Sequence, residues 1–267
     1  MTQTTEYAFD NRARETATQL ACLEAYLDPI TTGRLAAPVV RPGDHCWEVG
    51  AGGGSVAGLL AKAVGRHGLV VATDIDTTNL TYLKEVVVRT HDVRWEQAPD
   101  GGPFNLIHAR LVLLHMPERR RVLRSLAEAL APGGWLVVEE FDCTAGPRVL
   151  SAPTPAAEKL FVQVIDGVLG VLEERGADLG WAQDVYGEMA LAGLTDIDTV
   201  VHAESWPGGS SGARLYQVNS CQLQPGLLDA GLDVPRLSHF RRLMHDPRFA
   251  ALSYPFVSTR GRRPSSP

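Results

Sequence analysis

Cysteine is scarce. Cys22, Cys46, Cys143 and Cys221 stand far apart with no C-x-x-C, which excludes the usual zinc spacings and a disulfide scaffold. Scattered thiols of this kind fit reduced core residues. Long hydrophobic runs are also missing. No stretch reaches the roughly 18 apolar residues that would mark a membrane span, so no membrane partner is expected. The opening MTQTTEYAFDNRARE lacks the basic start and apolar run of a secretory signal, and the expected location is cytoplasmic. Basic charge is in deficit as well, with 25 Lys and Arg against 31 Asp and Glu and a formal charge of −6. Phosphate binding needs a basic face, so no nucleic-acid partner is expected. The terminal Arg260-Gly261-Arg262-Arg263 is too short to reverse that. No paired-acid signature dictates a metal, and none is expected.

What the chain does have is enough apolar residue for a full core, 45% of 267. Between residues 45 and 142, short apolar runs at 46–49, 69–72, 86–88, 104–107 and 135–138 are bounded by Gly, Pro, Asp or Asn. They read as buried parallel strands. Helical patterns at 56–64, about 77–85 and 117–131 alternate with them, which predicts a doubly wound α/β sheet. A helix over 6–27, ended by Asp28-Pro29, precedes this unit. A loop over 145–155 follows, then helices at 156–174, 181–192, 213–228 and 234–245 and strands at 196–201 and 252–259. The expected organisation is one domain: an N-terminal helical cap at 1–40, a ligand-binding core at 41–143, and cap helices with the last two strands at 144–267.

Ligands of such sheets sit outside the carboxyl ends of the strands. The first strand ends in Glu48-Val49-Gly50-Ala51-Gly52-Gly53-Gly54-Ser55, a strand–turn–helix context suited to a nucleotide. Its spacing is G-x-G-x-G, because Ser55 stands where a third dinucleotide glycine would be. Glu48 lies two residues before Gly50, where a carboxylate repels a pyrophosphate and tolerates a cationic amino group or sulfonium. Asp74 ends the second strand about 20 to 25 residues on, the usual place for a carboxylate that holds ribose hydroxyls. Ile75 offers a wall for adenine, and Asp76 serves as a helix cap. Asp92, with Val93 beside it, could accept from an exocyclic amine.

In these landmarks the chain resembles class I S-adenosylmethionine-dependent methyltransferases, particularly the small-molecule enzymes of actinobacterial specialised metabolism. They are EVGAGGGS, VVATDID, RTHDV, FNLIHARLVLLHM and LAPGGWLVVEEFD, in the family order. The resemblance implies a Rossmann-like seven-stranded sheet, its last strand antiparallel and inserted beside the fifth. It implies S-adenosyl-L-methionine as cofactor and S-adenosyl-L-homocysteine as product. It places Glu48, Gly50, Ala51 and Gly52 around the methionyl part, Asp74 on ribose, and Ile75, Asp92 and Val93 on adenine. Ala109 and Arg110 fall near the sulfonium, and the N-terminal helix with Tyr7 and Asn11 closes over the cofactor. Gln19 stands where the pattern carries an Arg.

The expected activity is methyl transfer to a small-molecule acceptor, with an O-methyltransferase of natural-product (antibiotic) biosynthesis as the first reading. Such a displacement needs mainly positioning and a base only where the acceptor must lose a proton. His115 is the candidate base, with packing or capping as its alternative. Glu140 and Asp142 share a face near the ligand end of the fifth strand and are candidate acceptor contacts, as are Tyr216 and Asn219. Two rival readings are a methyltransferase fold that runs another reaction such as a cyclisation, and an NAD-dependent dehydrogenase, against which Glu48 and the glycine spacing argue. Gly208-Gly209-Ser210-Ser211-Gly212 fits G-x-S-x-G, but Trp206-Pro207 interrupts the strand that a nucleophile elbow requires. The exposed N-terminal helix makes a homodimer possible.

Overall fold

A computed structural model describes Phe9 and residues 15–36, 38–80 and 82–265. In chain order its elements are α1 (Thr16–Leu35), β1 (His45–Val49), α2 (Ser55–Val64), β2 (Leu69–Asp74), β3 (Val87–Thr90) and β4 (Phe104–Arg110). Next come α3 (Arg119–Ala129), β5 (Leu130–Phe141), β6 (Val149–Ser151), α4 (Pro155–Glu174), α5 (Trp181–Leu191) and β7 (Thr195–His202). The chain continues with β8 (Ser205–Pro207), α6 (Ser211–Gln222), α7 (Gln224–Asp229), α8 (Val234–Leu243), β9 (Ala250–Leu252) and β10 (Phe256–Arg262). Two compact units result. One is built on Asp28–Glu140, Trp181–Val201 and the chain from Val257; the other takes the chain up to Leu27, Phe141–Gly180 and His202–Phe256.

The first unit carries a seven-stranded sheet in the order β3-β2-β1-β4-β5-β10-β7. β1 pairs in parallel with β2 on one side and β4 on the other, so strand order reverses there. β10, the last strand, is inserted beside β5 and runs antiparallel: Gly133 and Gly134 pair with Arg263 at one end, and Asp142 with Pro255 at the other. This is the expected Rossmann-like sheet. Helix α2 buries Val56, Ala57, Leu60 and Val64, one stripe of a 3.6-residue period. The stripe packs with Cys46, Val70, Leu106 and Val137 of the central strands. Each fully buried aliphatic side chain there contributes about 1.5–3 kcal/mol.

In the second unit β9 pairs antiparallel with β6 and β8. Its core is aromatic: Phe161 lies 4.9 Å from Phe249 and 5.3 Å from Tyr216, which in turn lies 5.1 Å from Trp206.

Four boundaries differ from the sequence reading. Helix α1 continues through Pro29, because side chains of the turn beyond it, Thr31 and Arg34, are bonded to strands β5 and β10. The helix expected at 77–85 reduces, among the described residues, to a single 3-10 turn, Thr78–Leu80. The pattern 213–228 divides at Leu223, where Pro225 opens α7. The pattern 252–259 divides at Ser253–Pro255 into β9 and β10, which join different sheets. In the G-x-S-x-G segment Ser210 accepts from Ala213 N at 3.2 Å as the cap of α6. A Cβ at Gly212 would collide with Trp206. The motif is a packed helix start.

Candidate functional site

The carboxyl ends of β1, β2 and β4 meet at the reversal of strand order. The turn between β1 and α2 needs left-handed backbone at Gly50 (φ 64), Gly52 (φ 53) and Gly54 (φ 84). Space is short there as well. A Cβ on Gly50 would collide with Val112, and one on Gly54 would stand 2.8 Å from Leu83 Cδ1. Asp74, at the end of β2, accepts from Gly52 N at 2.9 Å through Oδ2 and from Asp76 N at 3.0 Å through Oδ1. Burial raises the Asp74 pKa, opposed by these backbone donors. Asp76 accepts from Thr78 N and closes the following turn. Two side chains beside this turn present apolar surface to solvent, Ile75 (49% exposed) and Tyr82 (61%). The Tyr82 hydroxyl donates to Gly53 O at 2.6 Å.

Below the turn a row of ionisable side chains crosses the sheet. Register sets Glu48 of β1 opposite His108 of β4. His108 Nδ1 lies 2.7 Å from Glu48 Oε2, and Nε2 lies 3.2 Å from Glu139 Oε2 on β5. All three residues are buried. Glu139 also accepts from Thr31 Oγ1 at 2.5 Å and Ser258 Oγ at 2.7 Å. Burial by itself would push the imidazole pKa down, but the two carboxylates overcome it and hold His108 at about 9. Glu139 is likewise penalised by burial, yet its donors keep its pKa below the ordinary value.

Arg110, where β4 ends, bonds to three partners. Its Nη1 reaches Asp28 Oδ1 at 3.0 Å and Thr31 Oγ1 at 3.1 Å, and Nη2 reaches Ser55 Oγ at 3.4 Å. Ser55 Oγ donates to Asp28 Oδ1 at 3.0 Å, so the start of α2 and the later part of α1 share one network. Ala109 beside it is buried.

The other sequence-derived candidates fall in varied settings. Asp92 holds Arg94 through both carboxylate oxygens, Nε at 2.9 Å and Nη2 at 2.8 Å; that guanidinium is the main cause of its lowered pKa. Val93 follows in a half-buried turn. Glu140 is buried, and its Oε1 accepts from Leu113 N at 2.8 Å and Leu114 N at 3.2 Å. It therefore caps the turn Leu113–His115 that carries the candidate base. Burial pushes the Glu140 carboxyl up to about 8.

His115 has a buried Nδ1, and burial with the Arg119 charge lowers its pKa to about 4. Asp142 accepts from Thr144 N and Oγ1 in the loop after β5. Within the second unit the Tyr216 hydroxyl donates to Leu252 O at 2.9 Å. Asn219 Oδ1 accepts from Gln19 Nε2 at 2.8 Å. Tyr7 and Asn11 lie outside the described residues. Among the described residues no group of metal-type ligands gathers, and no helix is long and apolar enough to cross a membrane.

Sequence reasoning missed Asp28, Thr31, Ser55, His108 and Glu139. Asp28 and Thr31 are brought to the site by the continuation of α1 and His108 and Glu139 by sheet register, while Ser55 follows the glycine turn directly. Ser55, His108 and Glu139 all stand inside recognised motifs, but nothing local singles them out there.

A methyltransferase-domain family model matches residues 24–183. Methyltransferase str2 of Strobilurus tenacellus is 34% identical over 96 residues, 36% of this chain and 34% of that protein. The 27-O-demethylrifamycin SV methyltransferase of Amycolatopsis mediterranei is 28% identical over 177 residues, 58% of this chain and 61% of its own length. The chain thus spans about a third of the first of these relatives and three-fifths of the second. The phosphoethanolamine N-methyltransferase 2 of Haemonchus contortus, solved with S-adenosylhomocysteine, superposes with a TM-score of 0.58 at 13% identity. That superposition covers 99% of this chain and 61% of the other.

Proposed function

The chain belongs to the methyltransferase-domain family and has the class I S-adenosylmethionine-dependent fold, and from that premise we propose that it methylates a small organic acceptor with S-adenosylmethionine. The observation that carries the reading is the Gly52–Asp74 tie, which fixes a left-handed glycine turn against a carboxylate with exposed Ile75 beside it. These residues fit the cofactor. Asp74 keeps acceptor capacity for a vicinal diol beyond its backbone donors. Ile75 offers apolar surface to a purine. Asp92 and Val93 lie just past the end of the neighbouring β3, where the amine edge of that purine would fall, and Asp92 would accept from it on release of Arg94, which occupies both carboxylate oxygens. Glu48, with no further hydrogen bond on Oε1 among the described residues, supplies negative charge for a ligand bearing an ammonium and a sulfonium. Arg110 anchors Asp28 and Ser55 at the mouth of the turn.

The cofactor, when bound, supplies an electrophilic methyl group for in-line displacement. The chain's own contribution is positional. His115 is neutral across the working range, and a ring held at about 4 is a weak base. An acceptor that is nucleophilic once oriented suits this site, and oxygen is the first atom to test. The Amycolatopsis relative is named for an O-demethylated rifamycin, which supports an oxygen acceptor on a natural product here.

Calorimetry with S-adenosylmethionine and S-adenosylhomocysteine, with NAD as control, tests the cofactor. Micromolar binding that Asp74→Ala abolishes is expected. Failure of both sulfur compounds to bind folded protein overturns the reading. Incubation with phenol, carboxylate and amine acceptors, followed by detection of S-adenosylhomocysteine, then separates methyl transfer from other chemistry.

A further inference from the structure

The row Glu48–His108–Glu139 does not end at Glu139. Ser258 Oγ, which donates to Glu139 Oε1, lies 3.0 Å from Arg34 Nε. Arg34 Nη2 lies 2.7 Å from Asp198 Oδ1, and Asp198 Oδ2 accepts from Arg260 Nε at 2.7 Å. The chain of contacts runs from beneath the glycine turn to the β7 edge of the sheet. A carboxylate buried alone at position 48 would give up its charge by taking a proton. The cation that contacts it is the ring of His108.

We propose that His108 is a positioning residue that keeps a proton between Glu48 and Glu139. It holds Glu48 as a carboxylate with one oxygen committed to the imidazole and the other left for the cationic amino-acid end of the cofactor. This rests on the cofactor reading above. Groups facing the ring are Glu48 from β1 and Glu139 from β5, the latter backed by Thr31 from α1 and Ser258 from β10. Cys46, on the same face of β1, has its thiol pushed far up by burial and stays neutral. The direction of the His108 shift agrees with a ring charged at neutral pH.

The test begins with the unliganded protein. Nitrogen NMR of 15N-histidine-labelled chain, assigned by loss of a signal in His108→Gln, reads the ring directly. Two protonated ring nitrogens at pH 7.5 are expected. Glu139→Gln should move the titration of that ring below about pH 8, one countercharge having been removed. A ring with a single proton at pH 7.5 overturns the proposal whatever binds.

Calorimetry then separates positioning from structure. His108→Gln and Glu139→Gln should each weaken S-adenosylhomocysteine roughly tenfold, the scale of one charge-assisted contact. Binding of 5′-methylthioadenosine, which lacks the amino-acid end, should change less than about twofold. Equal losses for both ligands indicate a structural role and overturn the proposal. Should His108→Gln fail to fold, Glu139→Gln carries the same comparison, with the ring signal assigned from His108→Asn or by through-bond correlation. A wild-type chain with a doubly protonated ring that binds neither ligand sinks the cofactor reading and, with it, the role assigned to Glu48.

Discussion

Gly50 is constrained twice, by a φ of 64 and by Val112, which occupies the space of a Cβ. Gly50→Ala is expected to lose about 1–3 kcal/mol of stability and most cofactor affinity; urea unfolding and calorimetry read the two separately. An alanine variant that binds like wild type would remove the turn from the site. Glu140 makes a contrasting case. Its Oε1 caps the turn Leu113–His115, a task that an amide oxygen performs as well. Because its folded pKa is raised to about 8, its contribution is complete below the ordinary value of 4.5 and is lost as pH rises through 8. Glu140→Gln should match wild type near pH 5 and be the more stable protein at pH 9, in thermal unfolding. His115 completes the turn, and His115→Gln should lower turnover less than about tenfold; a loss above about a hundredfold would restore it as the base.

At the scale of elements, the strands that position the site were legible because buried parallel strands stand as apolar runs between turn residues. The glycine turn and Asp74 were legible for the same local reason. The Glu48–His108 pair was not, since sixty residues separate its members and only strand register brings them together. Helix α1 shows tertiary contacts overriding a local stop signal. Pro29 has no N–H to donate to the carbonyl four residues earlier, yet Asp28, Thr31 and Arg34 are each bonded to the sheet or its loops. Those contacts outweigh the break. Pro29→Ala, which restores the missing donor, should therefore raise stability by about 1–3 kcal/mol, measured by urea denaturation. The helix pattern at 77–85 also meets a tertiary contact. Asp76 caps the single turn Thr78–Leu80, and beyond it the Tyr82 hydroxyl is bonded to Gly53.

For the whole molecule, the groups that titrate between about pH 4 and 9 with large shifts all lie in the seven-stranded unit. His108, raised to about 9, stabilises fully below the ordinary 6.5 and loses that contribution as pH climbs through 9. Glu140 has the same sign over a lower span. His115, lowered to about 4, has the opposite sign: its contribution is complete above 6.5 and is lost as pH falls through 4. Glu139, also lowered, adds to that acid loss. In the other unit the groups with raised pKa, Cys22, Tyr26, Tyr216, Cys221 and Tyr254, start from 9 or 10 and move higher. Its shifted acid, Asp246, is displaced down to about 2. Between pH 4.5 and 6.5 the Glu140 and His115 contributions change in opposite directions, so stability should be highest in that span and fall on both sides of it, with both limbs arising in the seven-stranded unit. Hydrogen exchange at pH 4, 6 and 9, corrected for intrinsic rates, should show protection of β1, β4 and β5 highest at pH 6 and lower at pH 4 and at pH 9. Protection of α4, α6 and α8 should change little by comparison. His108→Gln should flatten the alkaline limb and His115→Gln the acid one. Parallel loss of protection in both units at pH 9 would place the alkaline instability elsewhere than in the buried row.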